Sequence, residues 1–184
     1  MSLFRETSDV SVRPAVPGDE DAIARIQVAA WRESHAEVLG DALALLDGAA
    51  VRGQWAAAIT APPPGHRVLV ACAGATVVGF TSVAPVPAPS SDEAPGGAIL
   101  ALEVEPLAQR GGHGSRLLAA AVDTLRQDGA DQVTTWVLDG DAARVQFLEG
   151  AGLGPDGTAR TLAAGEYPDG TPHTVTERRW WATI

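Results

Sequence analysis

The apolar positions along the chain change period in an orderly way, and the changes mark out alternating strands and helices. Residues 10–16 (VSVRPAV) follow the two-residue rhythm of a short strand. Asp19 then stands where a helix N-cap belongs, and Ile23, Ile26 and Ala30 recur at helical spacing over 20–35. A second helical region covers 41–59. Residues 67–73 (RVLVACA) and 76–83 (TVVGFTSV) are rich in β-branched side chains and flank Gly74-Ala75, which predicts a hairpin. Proline-rich 84–97 (APVPAPSSDEAPGG) reads as a long loop able to lie over a site, and 61–66 (APPPGH) as a shorter one.

Residues 98–104 (AILALEV) are apolar except for one glutamate, the pattern of a strand buried on both faces. Beyond glycines at 111, 112 and 114, Leu117, Leu118, Ala121, Val122 and Leu125 return to helical spacing, and Gly129 occupies a helix C-terminal position. Residues 132–138 (QVTTWVL) predict a strand and 141–151 a helix. A last strand spans 171–183, after turns at Pro155-Asp156-Gly157 and Pro168-Asp169-Gly170. Elements mixed in this order predict an α/β (α+β) fold around a central mixed sheet, with 1–9 as a tail and 10–184 as one domain. A length of 184 residues suits a single domain with a full core.

Charge and composition then remove several classes of function. The 23 acidic against 13 basic residues give a net charge of −10. A nucleic-acid or anionic-membrane partner needs a broad positive face, so neither is expected. Every basic side chain is arginine, and lysine and asparagine are both absent, a bias that fits a GC-rich genome. The single cysteine, Cys72, allows no internal disulfide, and the four histidines at 35, 66, 113 and 173 lack metal-ligand spacing. A soluble, cytoplasmic, metal-free protein is therefore the expectation, since no run approaches the ~20 apolar residues of a membrane span.

The chemically informative segment is 99–117 (ILALEVEPLAQRGGHGSRL): buried strand, short turn, glycine-rich loop, helix. Three glycines in four positions let backbone approach a ligand, and a helix start offers free N–H groups at its positive end. Such a loop suits a phosphate or pyrophosphate, with Arg110 and Arg116 adding side-chain charge. No Gly-Lys-Ser/Thr follows, which excludes a Walker loop, and Leu117 three residues after Gly114 does not fit the dinucleotide-binding fingerprint. A tight strand-to-helix connection without a ligand is the alternative reading of these residues.

Gln109-Arg110-Gly111-Gly112-His113-Gly114 is similar to the Q/R-x-x-G-x-G/A signature of the GNAT superfamily, the Gcn5-related N-acetyltransferases. The resemblance extends upstream through Leu102-Glu103-Val104-Glu105-Pro106 and Val78-Gly79-Phe80. Downstream it runs from Trp136-Val137-Leu138-Asp139-Gly140-Asp141 to Phe147, Gly152 and Leu153, so it covers most of residues 10–160. It implies a mostly antiparallel mixed sheet flanked by helices, whose fourth and fifth strands, about 98–105 and 132–138, splay to admit the pantetheine arm of acetyl-CoA. It also implies pyrophosphate binding on the amides of 110–115 (Arg110, Gly111, Gly112, His113, Gly114, Ser115) beside Gln109, and pantetheine binding by backbone at Leu102 and Val104. The activity implied is direct acetyl transfer to the amine of a small molecule or peptide in a ternary complex. Homodimers are common in the family, so self-association is open.

Acetyl transfer needs a neutral amine, and an alkyl amine is only about one part in a thousand neutral at pH 7. Glu103 is the candidate base. It interrupts the apolar run, and burying an unpaired carboxylate is costly. Equally, the strand's second face could open at 103 and 105, leaving Glu103 solvated or in a salt bridge. Family members often carry Phe-Tyr where this chain has Phe147-Leu148, with the tyrosine near the sulfur, and an asparagine where it has Asp141. Leu148 cannot donate a proton, which keeps a second reading in play: a catalytically weak or inactive CoA-binding regulatory domain. Asp141 reads either as a helix N-cap or as a cofactor contact. Trp31, Glu33, His35 and Glu37 end the first helix and are candidates for acceptor binding, against core, capping or solvated roles. His113 is expected to face solvent, Cys72 to be buried, and only one of Trp180 and Trp181 to point inward. The acidic excess favours a cationic acceptor.

Overall fold

The computed structural model describes residues 10–40, 43, 47–88, 95–166 and 169–184, with Glu37 through its backbone alone. In chain order the elements are β1 (Val10–Pro14), α1 (Glu20–Ser34), α2 (Ala36–Leu39), α3 (Gly48–Thr60), β2 (Arg67–Ala73), β3 (Thr76–Val86) and β4 (Gly96–Val104). A 3-10 turn (Pro106–Ala108) leads to α4 (His113–Gln127), β5 (Gln132–Leu138), α5 (Ala142–Gly150), β6 (Gly154–Glu166) and β7 (Pro172–Thr183). The strands form one sheet in the order β1-β2-β3-β4-β5-β7-β6. Neighbours run antiparallel except β4 and β5, which are parallel. The mixed, mostly antiparallel sheet expected from the sequence is therefore the observed one.

Alternation along the strands sends two sets of side chains to opposite faces. On one face Ala71, Val83, Ile99, Leu102 and Val104 pack against Leu117, Leu118, Ala121 and Leu125 of α4 and Leu148 of α5. On the other, Val68, Val70, Cys72, Val77 and Phe80 receive Ile23 and Ile26 of α1, with Trp55 of α3 meeting Phe80 edge-on at 4.9 Å. Cys72 is buried, and of the two tryptophans on β7 Trp180 points inward while Trp181 is exposed.

Several local expectations are corrected. Asp19 precedes α1 but makes no side-chain cap. Its carboxylate accepts the Val16 N–H at 2.8 Å and two hydrogen bonds from Arg13 at 2.7 and 3.0 Å, pinning β1 to the helix start. The Arg13 hydrogen bonds hold this carboxyl below the usual range, against an opposing push from burial. Within the helical region expected over 41–59, α3 spans Gly48–Thr60, and Asp47 accepts the Ala49 N–H at 2.9 Å. Residues 41, 42 and 44–46 lie outside the described residues.

The loop expected over 84–97 is shorter, because β3 runs on to Val86 and β4 starts at Gly96. Pro85 is tolerated because β2 pairing ends at Val83, leaving β3 an open edge there while it pairs with β4 through Pro85 and Gly97. The largest omission is β6, where the sequence reading saw only turns. Nearly every residue of this strand is exposed, so it carries no apolar alternation to read. Finally, 98–104 is not buried on both faces: Leu100 is 58% exposed. The reason lies in how β4 and β5 separate.

Candidate functional site

The β4 and β5 strands pair only through Gly97 with Val133, Ala98 with Thr134 and Ile99 with Thr135. The hydroxyls of Thr134 and Thr135 donate to Gly97 O and Ile99 O at 3.3 and 3.0 Å, closing the last paired rungs. Beyond them the strands part, each held on its far side, β4 by β3 as far as Val104 and β5 by β7 as far as Leu138. The Glu105 amide donates to Val78 O on β3 at 2.8 Å. Because N–H and C=O groups alternate between the two edges of a strand, those of Leu102 and Val104 point into the gap. Two side chains occupy carbonyls there: Arg144 Nη1 donates to Leu102 O at 2.7 Å, and Gln109 Nε2 to Val104 O at 3.3 Å.

The glycine loop lies at the end of β4. Arg110 has φ 61° and Gly112 φ 80°, left-handed values that turn the chain sharply into α4. The first backbone bond into the helix runs from Arg116 N to Gly112 O at 3.2 Å, which leaves the amides of 113–115 in the unpaired first turn. No acidic residue occupies that turn, while Arg110 and Arg116 stand exposed beside it. A Cβ on Gly112 would come within 2.8 Å of Arg116 Nη1, which itself donates to Gly111 O at 3.2 Å. Ser115 is exposed in the first turn, and Gly114 lies next to the Phe147 ring. His113 departs from expectation: as first residue of α4 its ring folds back against Gly111, is 7% exposed, and leaves Nδ1 without a partner among the described residues.

A cavity of about 310 Å³ opens where the strands part. Leu100 to Glu103 form one wall and Thr135 to Leu138 the other, with Trp31 and His35 above and parts of β6 and β7 at the side. This explains the exposed Leu100. Glu103, on the side of the sheet covered by α1, pairs with Arg144 Nη2 at 2.8 Å, both largely buried. The salt bridge that the sequence allowed for Glu103 is thus present. Asp141 caps α5 by accepting the Arg144 N–H at 2.9 Å, and its other oxygen stands 3.9 Å from His35 Nδ1. His35 is buried, and Nδ1 has no hydrogen-bond partner among the described residues.

The candidates thus fall into three groups. Leu102, Val104 and Gln109 through Ser115 line the gap and the loop at its end. Glu103, Asp141, Trp31 and His35 meet in the cavity. Glu33 is exposed and is not part of the cavity lining, and the Glu37 side chain lies outside the described residues. Sequence reasoning missed Arg144, which bonds Leu102 O and Glu103 at once, and Trp136, whose ring lies 4.1 Å beneath the Arg160 guanidinium. Nothing local marks either. Leu148, one turn after Arg144, is 3% exposed in the core and presents no polar group.

Residues 22–153 match the family model described as the acetyltransferase (GNAT) family. No curated protein matches the chain. Among solved structures, the ribosomal-protein-alanine N-acetyltransferase of Brucella melitensis is 22% identical, with 95% of this chain and 99% of that one covered and a TM-score of 0.66. The PaiA N-acetyltransferase of Thermoplasma acidophilum, solved in complex with coenzyme A, is 14% identical over 92% and 99% of the two chains, with a TM-score of 0.65. YncA of Salmonella typhimurium, solved with acetyl-CoA, is 16% identical over 95% and 93%, with a TM-score of 0.62.

Proposed function

Because the chain belongs to the acetyltransferase (GNAT) family, we propose that it is an acetyl-CoA-dependent N-acetyltransferase acting on the amine of a small-molecule or peptide acceptor. The observation that carries this reading is the opening of β4 from β5 beyond Ile99 and Thr135, directly beside a helix start with unpaired amides. An extended amide-bearing arm with a pyrophosphate at one end suits both features. The amides of 113–115 and the guanidinium groups of Arg110 and Arg116 would hold the phosphates against the overall negative charge. The gap-facing backbone of Leu102 and Val104 would pair with the arm as a strand edge does. When bound, acetyl-CoA supplies the activated acetyl group as a thioester.

The chain's own residues then have three tasks. The Val104 N–H, pointing into the gap, polarises the carbonyl under attack. Glu103 takes the proton that the acceptor ammonium must shed, directly or through water, and its place in the cavity wall puts it on the side open to an acceptor. Trp31 and His35 shape the acceptor end of the same cavity, and Asp141 fixes the start of α5.

The test is thiol release from acetyl-CoA over a panel of amines, amino acids and peptides, with the product identified by mass spectrometry. Acceptor-dependent release that falls in Glu103→Gln supports the reading. Tight CoA binding with no acceptor-dependent release favours the second reading, a CoA-binding regulatory domain, for which the buried, apolar Leu148 is the supporting observation.

A further inference from the structure

Arg144 is a partly buried cation in the gap that no task above employs. It stands in the first turn of α5, and its guanidinium divides between two acceptors, Leu102 O at 2.7 Å and Glu103 Oε1 at 2.8 Å. Its side chain is 22% exposed and that of Glu103 13%, so the pair is largely shielded from solvent and charges act there more strongly than in water. Leu148 lies four residues further along the same helix face and is packed into the core. Toward the gap, α5 therefore offers a guanidinium at this level, beside the Asp141 cap.

We propose that Arg144 is the electrostatic partner of the departing sulfur, and that Glu103 controls when its charge is available. This rests on the reading above, in which a thioester lies along the gap-facing edge of β4. The amine nitrogen forms the new C–N bond, the C–S bond breaks, and its electron pair leaves on sulfur. Glu103 has by then passed the first proton, shed by the ammonium, on to solvent, so the second proton, released from nitrogen as the C–N bond forms, goes to its carboxylate, which becomes neutral. Arg144 loses its counter-charge at the moment negative charge appears on sulfur, and keeps all its own protons. Solvent later protonates the thiolate. Charge is thus exchanged within the Glu103–Arg144 pair, and no acidic hydroxyl at position 148 is required.

The test reads the thiol of bound CoA by the ultraviolet absorbance of its thiolate during a pH titration, without acceptor or turnover. Bound to the wild type, where the Glu103 carboxylate offsets part of the Arg144 charge, the thiol should titrate below free CoA by less than the roughly one unit that an uncompensated adjacent cation gives. Arg144→Gln, which retains a donor for Leu102 O, should return it toward the free value, and Arg144→Lys should recover part of the shift. Glu103→Gln should move it the other way, lower than in the wild type, because the guanidinium is then uncompensated. A purely structural role for the pair would not give shifts of opposite sign. In turnover, Arg144→Gln should lower kcat by about a hundredfold, as removal of a charge-stabilising donor does. Equal thiol titration in wild type and Arg144→Gln, with CoA bound to both by calorimetry, would overturn the role of Arg144 and leave the proposed function standing. Failure of the wild type to bind CoA would overturn both.

Discussion

The same chemical change, one methyl group on a glycine, should have opposite effects at Gly79 and Gly53. Gly79 lies in β3 opposite Val104, at the seam between β3, β4 and α4. A Cβ there would stand 2.9 Å from the Glu103 carbonyl oxygen, 3.0 Å from Leu117 Cδ1 and 3.3 Å from Val104 Cγ2. Carbon prefers to keep about 3.5 Å or more from such neighbours, and the nearest is backbone held in a ladder, so the strands or the helix must shift. Overpacking of this kind costs about 1–3 kcal/mol. At roughly 2–4 °C per kcal/mol for a chain of this size, Gly79→Ala should lower Tm by about 2–12 °C. Gly53 lies exposed in the middle of α3 with nothing within 4 Å of a built Cβ. Alanine there removes only the entropic cost of a helical glycine, worth about 0.5–1 kcal/mol, and should raise Tm by roughly 1–4 °C. Differential scanning calorimetry of both variants checks the pair. If Gly79→Ala shifts Tm upward or not at all, the tight seam beneath Glu103 does not exist.

Three further outcomes follow from the geometry. Gly112→Ala, at φ 80° and with its Cβ 2.8 Å from Arg116 Nη1, should weaken acetyl-CoA binding about tenfold or more by calorimetry; unchanged affinity would remove the loop from the binding site. Asp19→Asn should destabilise the protein most above the ordinary carboxylate range. The Arg13 hydrogen bonds lower the folded-state pKa of Asp19, so its contribution disappears as pH falls through that lowered value; a gap between wild type and variant that does not narrow in acid, measured by urea unfolding, would refute this. Trp180→Ala should cost about 3–5 kcal/mol and Trp181→Ala under about 1 kcal/mol, since only the former is in the core; equal losses in urea unfolding would contradict the β7 register.

What the sequence made legible was whatever leaves a local imprint. The glycine loop and the apolar helix after it could be read because φ near 80° at Gly112 and the buried face of α4 each restrict residue choice at fixed spacing. The separation of β4 from β5 came from family resemblance, as no residue pattern encodes the end of pairing at Thr135. The β6 strand escaped because a strand exposed along nearly its whole length needs no alternation, and its Gly154-Pro155-Asp156-Gly157 start imitates a turn. His113 was placed in solvent because its neighbours are loop residues, whereas the ring folds back onto Gly111. Arg144 escaped for a different reason. Its partners are 41 and 42 residues away in sequence, and only the parting of two strands brings them within reach.

That parting also changes what the net charge of −10 says about the acceptor. If the acidic excess were expressed in the cavity, a cation would be drawn in by uncompensated carboxylates. Yet Glu103 is tied to Arg144, and Glu177 to Arg160 at 2.6 Å. Asp141 is committed to the start of α5, and Arg144 Nε lies 4.0 Å from it. Just outside, Asp139 and Asp156 are held by Arg178 and Arg179 at 2.7 and 2.6 Å. Glu177 thus has its own counter-charge while Arg144 serves both Glu103 and Asp141, and the rest of the wall is largely apolar: Leu100, Leu102, Val137, Leu138, Leu162 and Val175. A site whose carboxylates are mostly offset in this way gives far less long-range attraction to a cation than the net charge suggests, and rewards burial of apolar surface instead. Discrimination among acceptors should therefore follow the apolar body attached to the amine more closely than its charge, and the acceptor panel should show little dependence of KM on ionic strength.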